Sequence, residues 1–303
     1  MLNVVDIPQV LQDNFFMKGD YHNKIIDVFS DIDSHRVTAE IIRKHSTNRQ
    51  DIRDVALEGL DLFHARKILE LGCGFGFFTE SLKGRVSPGA RIIGIDVVEG
   101  YRDVFMETCA RAGIDGTFIH GDASVIRDFE DRSFDAVICS YSLYFFPHII
   151  GEVARIADEN AFLVATVHNG DSLKELVDFT RGMLVENGMI DREAVFPIEA
   201  LITSFSSENG YELLEPWFGG IIRKTFENTL VFEPGDMYSL MEYFRFKWPL
   251  FLSDLSPRDV ARAFDLFEVY LQRHFNLIRD GFRITKDDTI FVCSKPRYRR
   301  DKQ

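Results

Sequence analysis

The chain has 303 residues, of which 46% are hydrophobic and 27% charged, a composition typical of a soluble globular protein and not of a disordered or membrane-embedded one. Its 35 basic and 48 acidic residues give a formal net charge of -13, and a negative field of this kind repels phosphate backbones. We therefore expect a small molecule as the partner and no nucleic acid.

The four cysteines, Cys73, Cys109, Cys139 and Cys293, are scattered, without a C-x-x-C pair or a metal-ligand spacing. The start of the chain lacks the basic and apolar regions of a signal peptide. The longest uncharged run, residues 136–151, is shorter than the ~20 apolar residues that a membrane-spanning helix needs. We predict reduced thiols, no metal site, and a cytoplasmic protein that does not enter a membrane.

Helical periodicity dominates residues 23–62. Ser34 is placed to cap a helix that carries Val37 and Ile41 on one apolar face. From residue 67 the pattern changes to short apolar runs rich in Ile and Val, as expected for strands buried on both faces. Five runs are predicted to be strands: 68–71, 92–96, 117–120, 134–139 and 162–167.

The gaps between these strands are long enough for crossover helices, which favours a doubly wound α/β fold with a mostly parallel sheet. Near the other end of the chain, Ser256 and Pro257 mark the start of a predicted helix. Residues 282–285 and 289–293 flank a short polar loop, and they predict a terminal antiparallel hairpin that completes a seven-stranded sheet.

The segment over residues 169–255 is too long for a structureless loop inside a compact domain. A helix over 172–186, a strand over 221–232 and an aromatic-rich helix from 237 are predicted within it. We expect it to be a lid over an apolar substrate or, equally, a homodimer interface. The predicted domains are an N-terminal helical cap over 1–62, a core over 63–168 and 256–296, an inserted lid over 169–255, and a tail over 297–303.

A glycine-rich turn follows the first predicted strand and contains Gly72, Gly74 and Gly76. Glycine lets a ligand approach the backbone, and the start of the next helix offers unpaired N–H groups. The dinucleotide fingerprint G-x-G-x-x-G would need glycine at position 77, where this chain has Phe77. The pattern E-x-G-x-G-x-G, which begins at Glu70, instead resembles that of the Rossmann-like class I S-adenosylmethionine-dependent methyltransferases.

This resemblance implies a last strand that runs antiparallel between its neighbours, and methyl transfer from S-adenosylmethionine to an O, N or C atom of a small apolar or aromatic molecule. It implies that Glu70 favours the methionine ammonium or orients the turn, that Asp96 binds the ribose hydroxyls, and that Asp122 meets the adenine amino group. The cofactor-binding residues it implies are Glu70, Gly72, Cys73, Gly74, Gly76, Asp96, Val97, Asp122, Ala123 and Ser140.

The positions and chemistry of individual residues give candidates for catalysis and substrate binding. A hydroxyl or protonated amine acceptor needs a base, and His148 and His168 lie after the fourth and fifth strands; a structural role is the alternative for each. Tyr21 belongs to a possible lid, and the ring of Tyr144 suits a sulfonium cation. We predict that Tyr21, Tyr144 and His168 contact the substrate.

Other functions of the fold agree less well with the residues. After the fourth strand the chain lacks the Asn-Pro-Pro-Tyr signature of base methylation and the paired glutamates of protein arginine methylation, and its isolated cysteines do not suit arsenic methylation. A non-catalytic S-adenosylmethionine-binding module and a non-methylating enzyme of the same fold remain alternatives.

Overall fold

A computed structural model describes residues 26, 28–252, 255–277 and 281–298. Within these residues, nine strands are numbered in chain order. They are β1 (Lys67–Leu71), β2 (Arg91–Asp96), β3 (Asp115–His120), β4 (Phe134–Ser140), β5 (Ala157–His168), β6 (Phe218–Phe226), β7 (Thr229–Phe232), β8 (Phe282–Thr285) and β9 (Asp288–Pro296). Seven of them form one sheet in the order β3-β2-β1-β4-β5-β9-β6, and β7 and β8 form a separate pair.

Eleven α-helices lie in the described part of the chain. They are α1 (Ile32–His45), α2 (Ile52–Leu57), α3 (Phe77–Ser81), α4 (Tyr101–Ala112), α5 (Ile150–Ile156), α6 (Lys174–Glu186), α7 (Pro197–Ser204), α8 (Gly210–Leu214), α9 (Met237–Lys247), α10 (Pro249–Leu252) and α11 (Pro257–Leu277). None of the helices in the described ranges combines the length and the apolar run that a bilayer span requires.

The sheet is buried on both faces, as its apolar strands predict. Along β4, Val137 and Cys139 belong to one hydrophobic core, whereas Ala136 and Ile138 belong to the other. Successive side chains of a strand point to opposite faces, so each face of the sheet has its own core. The predicted doubly wound, mostly parallel seven-stranded sheet is confirmed, with strands β1 to β5 pairing in parallel.

The last strand also runs as the resemblance implied, because β9 is antiparallel to β5 on one side and to β6 on the other. The strand β6 comes from within residues 169–255, so this segment completes the main sheet as well as covering it. The predicted hairpin between residues 282–285 and 289–293 is wrong, because β8 pairs with β7, while β9 pairs with β5 and β6.

The physical reason is that the antiparallel pair of β6 and β9 continues into the antiparallel pair of β7 and β8. Phe226 is opposite Asp288 at the end of one antiparallel pair, and Thr229 is opposite Thr285 at the start of the other. Between them the Lys286 N–H donates to the Asn228 carbonyl at 2.9 Å. The two pairs therefore form one bent antiparallel ribbon, and the polar residues predicted to form a turn lie at its bend.

The N-terminal helix α1 is attached to this ribbon. Its N-cap is Asp31 and not the predicted Ser34, because the Asp31 carboxylate accepts the Ser34 N–H at 3.0 Å. After the helix, the Thr47 N–H donates to the Thr229 carbonyl at 2.9 Å, and Ser46 forms a β-bridge with Leu230. The helical cap is thus part of the cover that β7, β8 and α9 place beside the main sheet.

Gly94 on β2 tests how tightly the sheet packs against α4. A Cβ there would lie 2.4 Å from Phe105 Cζ and 2.8 Å from Cys73 Sγ. We expect Gly94→Ala to lower the free energy of unfolding by about 1–3 kcal/mol, because overpacking displaces neighbours, as measured by urea denaturation. Gly182→Ala, at an exposed position of α6 with nothing within 4 Å, is the control and should not destabilise the protein; an equal loss in both variants would contradict the packing argument.

Candidate functional site

The site candidates lie along one edge of the sheet. The glycine turn follows β1, Asp96 ends β2, Ser140 ends β4 and His168 ends β5. Because these strands are parallel, their carboxyl ends share an edge, and the antiparallel β9 begins there with Asp288, paired to His168. Ligands of open α/β sheets bind outside this edge.

The glycine turn has one open side. Gly72, Gly74 and Gly76 have φ values of 65°, 48° and 79°, in the left-handed region that favours glycine. A Cβ on Gly72 would lie 2.5 Å from Ser142 Cβ, and one on Gly76 would lie 3.0 Å from Thr108 Cγ2. A Cβ on Gly74 would meet only the Tyr101 ring, at 4.0 Å. The backbone of Gly74 is therefore the part of the turn with space for a ligand beside it.

Asp96 fastens this turn to β2. Its Oδ2 accepts the Gly74 N–H at 2.8 Å, and its Oδ1 accepts the Val98 N–H at 2.9 Å. Burial raises the pKa of Asp96, and these backbone hydrogen bonds oppose the rise. The Val97 N–H also donates to Asp96, so of the about four acceptor positions of an ionised carboxylate at least one stays open to a hydroxyl donor such as that of a ribose.

Glu70 lies beneath the turn. It is 1% exposed, and its carboxylate accepts the Thr79 hydroxyl and the N–H groups of Phe78 and Thr79 at the start of α3. Burial raises the pKa of Glu70 to about 7, and the charge of Asp96 adds to the rise. Of the two roles predicted for Glu70, its contacts favour orienting the turn. Direct contact with a cofactor stays a prediction.

The other predicted cofactor residues lie around the same edge. The Cys73 side chain is buried beside Gly94, so only its main chain faces the turn. Asp122 caps a 3-10 turn over Ala123–Asp128 by accepting the Ser124 N–H at 2.7 Å. Val97 follows Asp96 and its carbonyl contacts His120 Nε2 at 3.1 Å.

Ser140 carries an unpaired polar atom at this edge. In the part of the chain that the structure describes, its buried Oγ has no hydrogen-bond partner. A buried hydroxyl without a partner costs free energy unless a ligand or water satisfies it. The open side of Gly74, the spare acceptor position of Asp96 and this hydroxyl together fit a polar ligand that carries hydroxyl donors and positive charge, as S-adenosylmethionine does.

A second group of polar side chains lies beyond β4, at the ends of β5 and β9. We call His168, Asp288, Lys286 and Tyr141 the His168 cluster. Asp288 accepts His168 Nδ1 at 2.8 Å, the Tyr141 hydroxyl at 2.7 Å, and Lys286 Nζ at 2.6 and 2.9 Å. Residues at the ends of three strands therefore converge on one buried carboxylate.

The protonation states of this cluster follow from its contacts. Burial alone would raise the pKa of Asp288, but Lys286 and the hydrogen bond from His168 lower it below its ordinary value. Burial and the charge of Lys286 together lower the pKa of His168 to about 4, although Asp288 opposes the shift. Because an ionised carboxylate only accepts hydrogen bonds, the imidazole is neutral with its proton on Nδ1, which leaves the Nε2 lone pair as the basic position.

Aromatic rings enclose the cluster. The Tyr144 ring lies nearly parallel to the His168 ring at 5.9 Å between centroids, and Tyr141 lies at 5.0 Å. From Tyr144 the contacts continue through Phe145 and Phe29 to Phe246 on α9, with centroid separations of 4.8, 6.5 and 5.7 Å. This aromatic wall connects β4 to the covering helix, and it suits an apolar or aromatic ligand.

The wall reaches the glycine turn through His35 of α1. His35 stacks on Phe246 at 5.2 Å, contacts Phe75 at 5.1 Å, and its Nδ1 lies 2.6 Å from the Tyr101 hydroxyl. Burial lowers the pKa of His35 to about 4, and the charge of Lys247 adds to this. Helix α1 thus places a neutral histidine between the glycine turn and the His168 cluster.

The sequence analysis missed Lys247, Tyr243, Lys286 and Asp288. It interpreted Lys286 and Asp288 as part of a polar hairpin loop, and it interpreted the helix containing Tyr243 and Lys247 as an aromatic cover. No short-range pattern distinguishes a buried lysine from a surface one. The one available signal was that Lys286 and Asp288 directly precede a strongly apolar strand.

One predicted residue lies elsewhere, and another falls outside the described residues. His148 is exposed, and its charged neighbours are Arg127 and Asp122, which places it outside the His168 cluster. Tyr21 and the rest of the proposed N-terminal lid lie outside the described residues. His168 is therefore the candidate base that we carry forward.

A groove of about 450 Å³ opens beside the aromatic wall, between α1 and α9. Its lining includes Phe246 and Trp248 with the acidic residues Asp31, Asp33 and Glu242. It does not include the glycine turn or the His168 cluster. We place the candidate site at the strand ends, because the convergent polar groups with shifted pKa values lie there.

Comparison with known proteins identifies one matched region, since residues 68–160 match the model of a family described as a methyltransferase domain. Over 92 residues the chain is 29% identical to an aklanonic acid methyltransferase of Streptomyces sp. strain C5, covering 30% of this chain and 42% of that protein. Over 115 residues it is 30% identical to a nocamycin O-methyltransferase of Saccharothrix syringae, covering 37% of this chain and 41% of that protein. The chain spans less than half the length of these curated relatives.

Among solved structures, that of a loganic acid methyltransferase with S-adenosylhomocysteine resembles this chain with a TM-score of 0.53. The sequences are 14% identical, and the superposition covers 92% of this chain and 98% of that one. At this identity the likeness concerns the fold, and it agrees with the sheet described above.

The raised pKa of Glu70 makes stability depend on pH. The Glu70 carboxyl binds a proton more tightly in the folded protein, with a pKa of about 7, than at its ordinary pKa of 4.5. The stability that it contributes therefore falls as the pH rises from about 4.5 to about 7. We expect wild type to lose about 3 kcal/mol of unfolding free energy relative to Glu70→Gln over this interval, measured by urea denaturation. Glu80→Gln, at an exposed position of α3, should follow the wild-type curve; a constant difference between wild type and Glu70→Gln would contradict the assignment.

Proposed function

We propose that this chain, whose residues 68–160 form a methyltransferase domain, transfers the methyl group of S-adenosylmethionine to a hydroxyl oxygen of a small aromatic molecule. The observation that carries the proposal is the pair of Asp288 and His168 at 2.8 Å, which leaves the Nε2 lone pair of a neutral imidazole at the strand edge beyond the glycine turn. The name of the similar nocamycin O-methyltransferase supports an oxygen acceptor.

The half of the edge formed by β1 to β3 would hold the cofactor. Asp96 would accept the ribose hydroxyls, the backbone of Gly74 would approach the ligand, and Asp122 and Ala123 would face the adenine. When bound, S-adenosylmethionine supplies an electrophilic methyl group on a positively charged sulfur and leaves as S-adenosylhomocysteine. The half-buried Asp96 carboxylate, which accepts the Gly74 N–H of the turn, would favour this positive charge.

The half formed by β4, β5 and β9 would hold the acceptor. His168 Nε2 would accept the proton of the acceptor hydroxyl, which would make that oxygen the nucleophile toward the methyl group that S-adenosylmethionine supplies. Asp288 stabilises the resulting imidazolium through Nδ1–H, and the proton then passes to solvent. The rings of Tyr141 and Tyr144 keep water from the reacting atoms and orient an aromatic acceptor.

The remaining expectations concern partners and compartment. The net charge of -13 supports the absence of a nucleic-acid partner. All four cysteines are buried free thiols, which supports a reducing compartment such as the cytoplasm. A homodimer stays a prediction, to be checked by sedimentation at several concentrations.

Asp96 provides the test of cofactor binding. We expect Asp96→Asn to weaken binding of S-adenosylhomocysteine by about 10- to 100-fold, because one or two hydrogen bonds to a charged acceptor are lost. Isothermal calorimetry measures the affinity. Asp115→Asn, an exposed site on β3, is the control and should bind as wild type does. Absence of S-adenosylhomocysteine binding to folded wild-type protein would overturn the proposed function.

His168 provides the test of catalysis. Screening hydroxylated aromatic compounds for release of S-adenosylhomocysteine identifies an acceptor. With that acceptor, His168→Gln should lower kcat about 100-fold or more, because general-base catalysis contributes about 10²- to 10⁴-fold. The affinity of the variant for S-adenosylhomocysteine should stay within about twofold of wild type. His64→Gln, at an exposed position, should leave kcat unchanged. An unchanged kcat in His168→Gln would remove this residue as the base.

A further inference from the structure

Positive charge exceeds negative charge around the His168 cluster. Lys286 and Lys247 both lie near Asp288, and the two lysines also influence each other. Burial and the charge of Lys286 together lower the pKa of Lys247 to about 8. His168 is neutral. Two lysines against one aspartate therefore leave an excess of one positive charge. Lys286 is buried and Lys247 is half-buried, so an unpaired ammonium here is only partly solvated and costs free energy.

Asp288 has no remaining capacity to neutralise the second lysine. It accepts four hydrogen bonds, from His168, Tyr141 and twice from Lys286, at 2.6 to 2.9 Å. These use the roughly four acceptor positions of a carboxylate. In the described part of the chain, Lys247 forms no ion pair within 4.0 Å, and its Nζ lies 5.2 Å from the centre of the Tyr243 ring.

Tyr243 carries a second unpaired group. The residue is 0% exposed, and in the residues that the structure describes its hydroxyl has no hydrogen-bond partner. The charge of Asp288 raises its pKa in addition to burial, so the hydroxyl stays protonated and can donate. An ammonium and a hydroxyl donor on one turn of α9, both without acceptors, match one anionic group.

We propose that the methyl acceptor carries a carboxylate, separate from the hydroxyl that is methylated, which pairs with Lys247 and accepts the Tyr243 hydroxyl. This inference rests on the proposed function. The excess of one charge suits a monoanion rather than a phosphate, and the aromatic wall suits a hydroxylated aromatic acid. The bound anion offsets the cations beside His168, so it also makes Nε2 a stronger base when the acceptor is in place.

The competing occupant is the carboxylate of the cofactor's methionine. Lys247 influences His35, which contacts Phe75 of the glycine turn, so the lysine lies between the two halves of the edge. We favour the acceptor because three charged or titratable partners of Lys247, namely Lys286, Asp288 and His168, belong to the acceptor half.

Calorimetry on the protein saturated with S-adenosylhomocysteine tests the inference. The probes are three acid and amide pairs of increasing size, made from para-hydroxybenzoate, para-coumarate and a hydroxynaphthoate. We expect at least one acid to bind wild type about tenfold or more tightly than its amide. Lys247→Met should abolish this preference, Lys247→Arg should retain it, and Arg245→Gln should be unaffected, because Arg245 is an exposed cation of the same helix.

Each other outcome overturns the inference. If wild type binds acids and amides equally, or binds neither, the inference is overturned. This result needs only the wild-type protein, so it holds even if Lys247→Met fails to fold. A preference that survives Lys247→Met also overturns the inference. If Lys247→Met instead weakens S-adenosylhomocysteine tenfold but leaves methylthioadenosine, which lacks the carboxylate, unchanged, Lys247 binds the cofactor. If wild type binds no S-adenosylhomocysteine, the proposed function fails and the inference fails with it.

Discussion

The arrangement of the site depends on one buried carboxylate, Asp288. A buried charge persists only when it is paired and hydrogen-bonded, and Asp288 meets this requirement with donors from three places in the chain: His168 at the end of β5, Tyr141 after β4, and Lys286 two residues before it. Satisfying the carboxylate also fixes the tautomer of His168 and the position of Lys286. The chemistry of the acceptor half therefore follows from a requirement of folding, because the same hydrogen bonds that stabilise Asp288 orient the candidate base.

The bent ribbon supplies this carboxylate. The strands β8 and β9 continue through Lys286, which lies at the bend, and the antiparallel β9 begins at the carboxyl edge of the parallel strands. A hairpin between residues 282–285 and 289–293 would have exposed Lys286 and Asp288 to solvent. Because β8 pairs with β7 instead, the bend lies against Tyr141 after β4 and His168 at the end of β5, and both polar side chains are almost fully buried.

The edge is divided electrostatically into two halves. Around the glycine turn the charged groups are the buried Glu70 and the half-buried Asp96, which repel one another and favour a cation. Around Asp288 the excess is positive, because Lys247 and Lys286 outnumber the single carboxylate. A sulfonium donor and the proposed acidic acceptor would thereby match opposite halves. His35 lies between the halves as a neutral ring, since burial and Lys247 both disfavour its protonation.

The sequence by itself determined the five parallel strands, the glycine turn after β1 and the acidic residues at strand ends, because these depend on patterns within a few residues and on the common edge that parallel strands share. Glu70 was found by its motif, but that it lies under the turn and caps α3 followed only from its depth in the core. The tertiary structure alone decided the His168 cluster: His168 and Asp288 are 120 residues apart, and residues 286–288 have the local composition of a loop. Whether a charged residue is exposed or buried depends on distant donors and on what covers it, and neither is encoded in the neighbouring sequence.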